Sequence, residues 1–230
     1  MARIIFIRHG QAAFGSQRYD SLTDLGKAQA KAVGDHFSAC KVSFDRVVAG
    51  EPERQQASAA LALSVMNTPR DVAVCSDFNE YDHMGIIDAA HPLIARSHPH
   101  LTEALDARFS NHTFQPFFEE ALSLWVGGMP LPSGVESFGA FAGRVRSGLM
   151  GLAADLAPRE TVAVFSSGGA IAMALGVALN LSPSESMALS WELVNGGYST
   201  LRVGKRGIRL MDANVSAHLA LLGREWVTYR

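Results

Sequence analysis

Short apolar runs alternate with helix-like segments along most of this chain, and this alternation constrains the fold more than any other feature. The first run, Arg3–Arg8, is apolar between its two arginines, as in a strand buried on both faces of a sheet. A segment with helical spacing follows, with Thr23 in the position of its N-cap. Such alternation predicts an α/β fold: a three-layer sandwich with a mostly parallel central sheet and helices on both faces. The expected strands are Arg3–Arg8, Phe44–Gly50, Asp71–Ser76 and Thr161–Ser166, followed by two strands within Tyr198–Asn214.

A long segment of helical pattern separates the third and fourth of these strands. It runs from Ile86 to Leu156 and is interrupted by the glycines and prolines of Gly127–Gly134. No internal repeat, linker or low-complexity tract is evident. We therefore expect residues 1–230 to form a single domain, with 86–131 as a helical insert that covers one end of the sheet as a lid.

The charge balance limits the class of partner. The chain has 230 residues with a formal net charge of −2, which gives no electrostatic basis for binding nucleic acid or an anionic membrane. An anionic substrate must therefore be held by locally placed arginines. We expect a small phosphorylated metabolite or a phosphoprotein as the partner, with homodimer formation left open.

The cysteines and the apolar segments bear on the compartment. Cys40 and Cys75 are too few for a disulfide framework and lack the spacing of a metal site. The N-terminal apolar run has no cleavage site typical of a signal peptide, and no stretch reaches about 18 uninterrupted apolar residues. These features favour the cytoplasm, and no cofactor or metal is expected.

Polar residues follow each of the four predicted strands. The sequences at these points are RHG, GEPER, SDFNE and SSGG. Because ligands of open α/β sheets collect beyond the carboxyl ends of the strands, these residues are expected to converge on one site.

The convergent residues include two arginines, a histidine and a carboxylate. Taken singly, His9 could simply end a strand, and Arg54 could be a solvated helix residue. Together, Arg8 and Arg54 could bind a phosphoryl group that His9 attacks, while Glu80 transfers a proton. Gly10 would allow the backbone to approach a ligand closely.

Several ordered motifs resemble the histidine phosphatase superfamily, which includes the cofactor-dependent phosphoglycerate mutases. RHGQ and the following YDSLTDLGKAQA resemble the opening of that family. Arg54 and the glutamate of FNEYD resemble its second phosphate-binding arginine and its acid. The resemblance continues at Pro132–Val145 and at Met211–Leu219, so it extends over both ends and most of the middle of the chain.

This resemblance implies a phosphatase that works through a phosphohistidine. His9 would be the nucleophile, Arg8 and Arg54 would neutralise the phosphoryl oxygens, and Glu80 would be the general acid and base. Gln11 and Thr23 are second candidates for holding phosphate, although they read equally well as a polar loop residue and a helix cap.

The sequence departs from the family pattern at two places. Around Arg54, the run Gln55–Ser58 replaces the family's alanine and later Gln-Thr, and Gly50–Pro52 replaces its Ser-Pro-Leu. Ser167 of FSSGG stands where the family has a second histidine. Loss of one preorganised donor costs roughly 3–4 kcal/mol in a transition state. His83 could supply the missing donor or be an exposed loop histidine. Alternatively, the chain is a weakened phosphatase or a protein that binds a phosphorylated ligand.

The turn that contains Ser167 allows three interpretations: it carries a nucleophilic serine, it binds an anion, or it is only a tight connection. A nucleophilic serine is the weakest, because no general base is assigned to Ser166 or Ser167. The turn reads better as one wall of a phosphate site, with backbone N–H groups at Gly168 and Gly169 opening a helix.

Two further interpretations are less favoured. A phosphoglycerate mutase is one, but Gln11–Gly15 lacks the asparagine of the mutase-like opening. A metal site within His91–His100 is the other, although its prolines and irregular spacing favour a surface loop.

Overall fold

The computed structural model describes residues 1–13, 20–66, 70–106 and 111–229, with only the backbone of 103–106 and 111–113. These residues form a six-stranded sheet with the order β3-β2-β4-β1-β5-β6. The first four strands in this order are parallel to one another. β5 is antiparallel to β1, and β6 is antiparallel to β5. The strands are β1 (Ala2–Arg8), β2 (Arg46–Ala49), β3 (Val72–Val74), β4 (Thr161–Ser166), β5 (Tyr198–Gly204) and β6 (Gly207–Val215).

The centre of the sheet explains the continuous apolar runs of the sequence. The side chains of β4 are all buried, and Ile4–Ile7 of β1 beside it are at most 2% exposed. Strands that are covered on both faces have no polar alternation, because neither face meets water. The predicted α/β architecture with a mostly parallel sheet is therefore confirmed.

Helices connect the strands along the chain. Thr23 is the N-cap of α1, and its hydroxyl accepts a hydrogen bond from the backbone N–H of Gly26. The described helices are α1 (Asp24–Ala39), α2 (Glu53–Val65), α3 (His83–Ser97), α4 (Pro99–Asp106), α5 (Asn111–Val126), α6 (Phe138–Asp155), α7 (Gly168–Leu179), α8 (Pro183–Leu189) and α9 (Ala217–Ala220).

The chain divides into two compact units. The first comprises Met1–Glu80 and Arg144–Arg230 and contains the whole sheet. The second, Tyr81–Gly143, contains α3 to α5 and the start of α6, so the segment predicted to be helical is helical. A group of aromatic rings stabilises this second unit, in which Trp125 packs against Tyr81 and Phe141 with tilted rings and is almost completely buried. The role of 86–131 as a lid stays a prediction.

The histidine-rich segment His91–His100 differs from the expected surface loop. Its first seven residues belong to α3, and His100 lies in α4. Pro92 lies inside α3, where it removes one backbone donor. The buried faces of Ala90 and Ile94 hold the helix together despite this loss, because packing outweighs local propensity. Within the described residues, no group of three or more histidine, cysteine, aspartate or glutamate side chains could hold a metal ion.

None of the helices in the described parts of the chain is both long enough and apolar enough to cross a membrane. Cys40 and Cys75 are both free thiols.

Candidate active site

The candidate site lies where the parallel strands end. The backbone N–H of His9 donates to the carbonyl of Ser166, and that of Gly50 donates to the carbonyl of Phe165. These bonds place the residues after β1, β2 and β4 side by side at the carboxyl edge of the sheet. The topology therefore brings the sequences RHG, GEPER and SSGG together, as the strand order requires.

Two hydrogen bonds fix the tautomer of the buried His9 ring. Nδ1 lies 2.7 Å from the carbonyl oxygen of Gly10, and Nε of Arg54 donates to Nε2 at 3.2 Å. An arginine nitrogen only donates, so Nε2 must accept, and the ring proton must be on Nδ1. The lone pair of Nε2 therefore points toward the guanidinium group of Arg54.

The surroundings of His9 also keep the ring neutral. Burial lowers its pKa well below 6.5, and the positive charges of Arg54 and Arg8 lower it further. The hydrogen bond to Gly10 opposes this shift without reversing it. A neutral imidazole with an unprotonated Nε2 can act as a nucleophile at neutral pH once a substrate takes the place of the hydrogen bond from Arg54.

Arg54 links three parts of the site from the first turn of α2. Its side chain is buried, and Nη2 lies 3.4 Å from Oγ of Ser167. Nη1 forms an ion pair of 2.5 Å with Asp20, whose other carboxylate oxygen accepts the backbone N–H of Glu53. Asp20 was not identified from the sequence, because the carboxylate is 34 positions away from the arginine it pairs with.

Ser167 has a second buried donor beside it. Nε2 of Gln55 donates to its Oγ at 2.7 Å, and both side chains are at most 1% exposed. Two N–H donors thus occupy the acceptor positions of this hydroxyl. Among the described residues, no acceptor faces the hydroxyl hydrogen of Ser167. The sequence marks Gln55 only as a departure from a family pattern and assigns it no role.

A loop before β5 holds the backbone of Arg8 and His9. The side-chain amide of Asn195 donates to the backbone carbonyl of His9 at 3.2 Å. The backbone N–H of Gly196 donates to the backbone carbonyl of Arg8 at 3.0 Å. The guanidinium group of Arg8 donates to the carbonyl of Leu193. Asn195 is completely buried, and nothing in the sequence indicated its part in the site.

Gly168 lies against the guanidinium group of Arg8. A methyl group on its Cα would lie 3.6 Å from Cζ of that arginine. The next residue, Gly169, donates its backbone N–H to Oε2 of Glu80 at 3.0 Å. The start of α7 therefore lies beside both an arginine and the carboxylate of the candidate site.

Arg144 fixes the loop that carries Glu80. Its Nη1 donates to the carbonyls of Ser76, Asp77 and Asn79, and its Nη2 donates to the carbonyl of Glu80 at 3.4 Å. One guanidinium group thus holds four backbone carbonyls within residues 76–80. Arg144 lies within α6, where the sequence pattern does not distinguish it from a solvated helix arginine.

The secondary candidates support the loop after β1. The hydroxyl of Thr23 donates to the side chain of Gln11 at 2.9 Å, and Gln29 accepts the backbone N–H of Gln11. A Cβ on Gly10 would lie 2.0 Å from the carbonyl oxygen of Gly26, so the packing of α1 requires glycine at position 10. Phosphate contacts by these residues stay predictions.

Two predictions refer to other parts of the chain. His83, the alternative donor, is the first residue of α3 in the second unit and is half-buried rather than fully exposed. The segment Gln11–Gly15, used to argue against a mutase, extends beyond residue 13 and so partly outside the described residues.

Comparison with known proteins identifies the fold and the family. A sequence model of the Histidine phosphatase superfamily (branch 1) matches residues 4–216. No curated protein matches the chain. Among solved structures, a phosphoserine phosphatase variant from Entamoeba histolytica in complex with phosphoserine is 18% identical with a TM-score of 0.66, covering 95% of this chain and 100% of that one.

Two other solved structures share the fold. A mycobacterial glucosyl-3-phosphoglycerate phosphatase in complex with inorganic phosphate is 23% identical with a TM-score of 0.63, covering 94% of this chain and 98% of the other. An alpha-ribazole phosphatase from Shigella flexneri is 21% identical with a TM-score of 0.62, covering 93% and 96% respectively.

Proposed function

This chain belongs to branch 1 of the histidine phosphatase superfamily, and we propose that it is a phosphatase that hydrolyses a phosphomonoester through a phosphohistidine on His9. The observation that carries the proposal is the state of that ring. Nδ1 carries the proton, and Nε2 is an unprotonated nitrogen beside the guanidinium group of Arg54.

In the first step, the lone pair of Nε2 forms a bond to phosphorus while the bond to the ester oxygen breaks. Protonated Glu80 gives its proton to the departing alkoxide, which leaves as an alcohol. Arg8 and Arg54 neutralise the charge on the equatorial oxygens, where most of the transition-state charge lies. The proton remains on Nδ1, where it is hydrogen-bonded to the carbonyl of Gly10, so the phosphorylated ring carries a positive charge.

In the second step, water attacks the phosphohistidine. The Glu80 carboxylate takes a proton from the water, a new phosphorus–oxygen bond forms, and the phosphorus–nitrogen bond breaks. Its electron pair returns to Nε2, which restores the neutral ring and releases inorganic phosphate. The overall reaction consumes one ester and one water and yields an alcohol and phosphate.

Ser167 supplies the donor that the family obtains from a second histidine. Arg54 and Gln55 both donate to its oxygen, so the hydroxyl hydrogen is available for a phosphoryl oxygen. Unlike a histidine, this donor carries no charge. The backbone N–H of Gly168, at the start of α7, lies beside Arg8 and can contribute a further hydrogen bond.

The substrate class follows from this chemistry and from the relatives. The named activities of the similar structures act on small phosphorylated molecules, and the cationic groups of the site suit a phosphomonoester dianion. The choice between a small metabolite and a phosphoprotein, the cytoplasmic location and a homodimer all stay predictions.

Trapping the intermediate tests the proposal directly. The protein is mixed with a ³²P-labelled aryl phosphate and quenched in alkali, in which phosphohistidine survives and phosphoserine is lost. We expect an alkali-stable, acid-labile label in the wild-type protein and none in the His9→Ala variant, together with turnover of the ester. Turnover that survives the His9→Ala change would overturn the mechanism. Tight phosphate binding without turnover of any ester would instead identify a protein that binds a phosphorylated ligand.

A further inference from the structure

A row of arginines crosses three adjacent strands at the amino-terminal end of β1. Arg3 of β1 lies directly opposite Arg202 of β5, which lies directly opposite Arg209 of β6. Residues directly opposite one another place their side chains on the same face of the sheet. Like charges in this relationship repel and destabilise the sheet, so the row is costly to the isolated protein.

The row borders a hollow in the first unit. The hollow has a volume of about 780 Å³, lies beside the start of β1 and is closed by the β5–β6 turn and the segment before β4. Arg202 and Arg209 line it together with Arg159, Lys205 and Arg206, and no aspartate or glutamate does. Lys205 and Arg206 are the two central residues of the β5–β6 turn.

These cations have no anionic partner within the described residues. No salt bridge among the described residues involves any of the five, and the side chain of Arg3 donates to the neutral hydroxyl of Thr161. The two acids close to Arg159 in sequence, Asp155 and Glu160, are both paired with Arg46. A protein with a net charge of −2 therefore lines one hollow with five cations that have no anionic partner among the described residues, and Arg3 lies directly opposite one of them.

We propose that this hollow is a second anion site, which binds a small molecule carrying two or more phosphate groups. Its volume is within the range of pockets for small ligands and cofactors. Guanidinium groups bind phosphate with paired N–H donors, and adjacent strands set neighbouring arginines of the row about 5 Å apart at the backbone. Several guanidinium groups at this spacing suit a chain of linked phosphates better than a single phosphate.

The site is separate from the candidate active site. Arg3 and Arg8 are at opposite ends of β1, about 16 Å apart along the strand. A ligand in the hollow therefore leaves the carboxyl edge of the sheet open. The proposal does not depend on any role for His9.

Calorimetric titration with inorganic triphosphate tests this site. Orthovanadate is present in the titration to occupy the phosphate site at the carboxyl edge. Under this condition we expect one triphosphate to bind per protein, and we expect orthophosphate to bind the hollow much more weakly than triphosphate. The double variant Arg202→Gln/Arg209→Gln should lose affinity by about tenfold or more. The matched control Arg70→Gln/Arg146→Gln removes two exposed arginines elsewhere and should bind as the wild type does.

Thermal unfolding provides a second readout that detects a folding defect. Without ligand, Arg202→Gln/Arg209→Gln should unfold at the same or a higher temperature than the wild type, because a like-charge contact has been removed. Triphosphate should raise the unfolding temperature of the wild type and of the control, but not of this variant. The proposal would be overturned if both double variants bound triphosphate equally well, or if orthovanadate abolished the binding of triphosphate. It would also be overturned if the protein bound duplex DNA or phosphatidylserine vesicles more tightly than triphosphate.

Discussion

The side-chain amide of Gln55 donates to the hydroxyl oxygen of Ser167 at 2.7 Å, and both groups are buried. This contact joins one residue from each of the two places at which the sequence departs from the pattern of the family that it resembles. Alanine at position 55 could make no such bond, and histidine at position 167 would need none. In the proposed mechanism, Gln55 therefore orients the hydroxyl that Ser167 offers to phosphate.

Replacing Ser167 with alanine removes the donor but leaves Gln55 and Arg54 in place. We expect kcat for an aryl phosphate to fall by about 100-fold, because one preorganised donor to the transition state is lost. Ser166→Ala is the matched control, because that hydroxyl donates to the carbonyl of Phe78. Its loss should lower the unfolding temperature and leave kcat nearly unchanged. If Ser167→Ala had a normal kcat and His83→Ala a reduced kcat, the hydrogen-bond donor to phosphate would be His83 instead of Ser167.

Replacing Gln55 with leucine keeps the volume of the side chain and removes only its orienting bond. We expect kcat to fall about fivefold, the equivalent of one hydrogen bond of ~1 kcal/mol. Oε1 of Gln55 is buried with no partner among the described residues, so leucine should not lower stability. The double variant with Ser167→Ala should be no slower than Ser167→Ala alone, since Gln55 acts through that serine. Independent, multiplicative losses of kcat would contradict this.

The sequence predicts the parts of this molecule that depend on local pattern. Strands such as β4 are continuous apolar runs. Arg8 is the last residue of β1, and His9 and Arg54 follow β1 and β2, whose ends lie at one edge of the sheet. Residues that act through distant partners could not be found in this way. Asn195 supports His9 from 186 positions away, and neither a period nor a spacing links them. The histidine-rich helix was missed because its prolines outweighed its apolar spacing in the local pattern.

Replacing Asp20 with asparagine should strengthen the binding of phosphate. The Asp20 carboxylate neutralises Nη1 of Arg54 and would repel an incoming phosphate dianion. Asparagine retains an acceptor for the backbone N–H of Glu53. We therefore expect inorganic phosphate to inhibit the variant at a concentration several-fold lower than it inhibits the wild type. Weaker inhibition would instead indicate that Asp20 serves mainly to orient the arginine.

Stability should fall as the pH decreases below about 6.5. The pKa of buried His9 lies well below its ordinary value, and burial, together with the charge of His36, lowers the pKa of His218 to about 4. Between pH 6.5 and about 4 the unfolded chain therefore binds protons that the native protein does not. Each such histidine steepens the pH dependence of the unfolding free energy by at most about 1.4 kcal/mol per pH unit.

Denaturant unfolding at pH 7.5, 5.5 and 4.5 measures this slope. His218→Phe keeps an aromatic ring beside His36 and removes the titrating group, so its unfolding free energy should change less between these pH values. His9→Ala should reduce the slope as well. A stability that is constant over this range in the wild type would contradict the lowered pKa values.

Replacing Arg144 with glutamine should impair catalysis through the position of Glu80. The guanidinium group holds the carbonyls of Asn79 and Glu80, and the carboxylate of Glu80 must protonate the leaving oxygen. An alkyl phosphate needs that proton, whereas p-nitrophenolate leaves readily without it. We therefore expect kcat to fall about tenfold more for an alkyl than for a p-nitrophenyl ester. Arg146→Gln, two residues away on the exposed surface of α6, is the matched control and should show no such difference. An equal loss for both esters would mean that Arg144 only stabilises the fold.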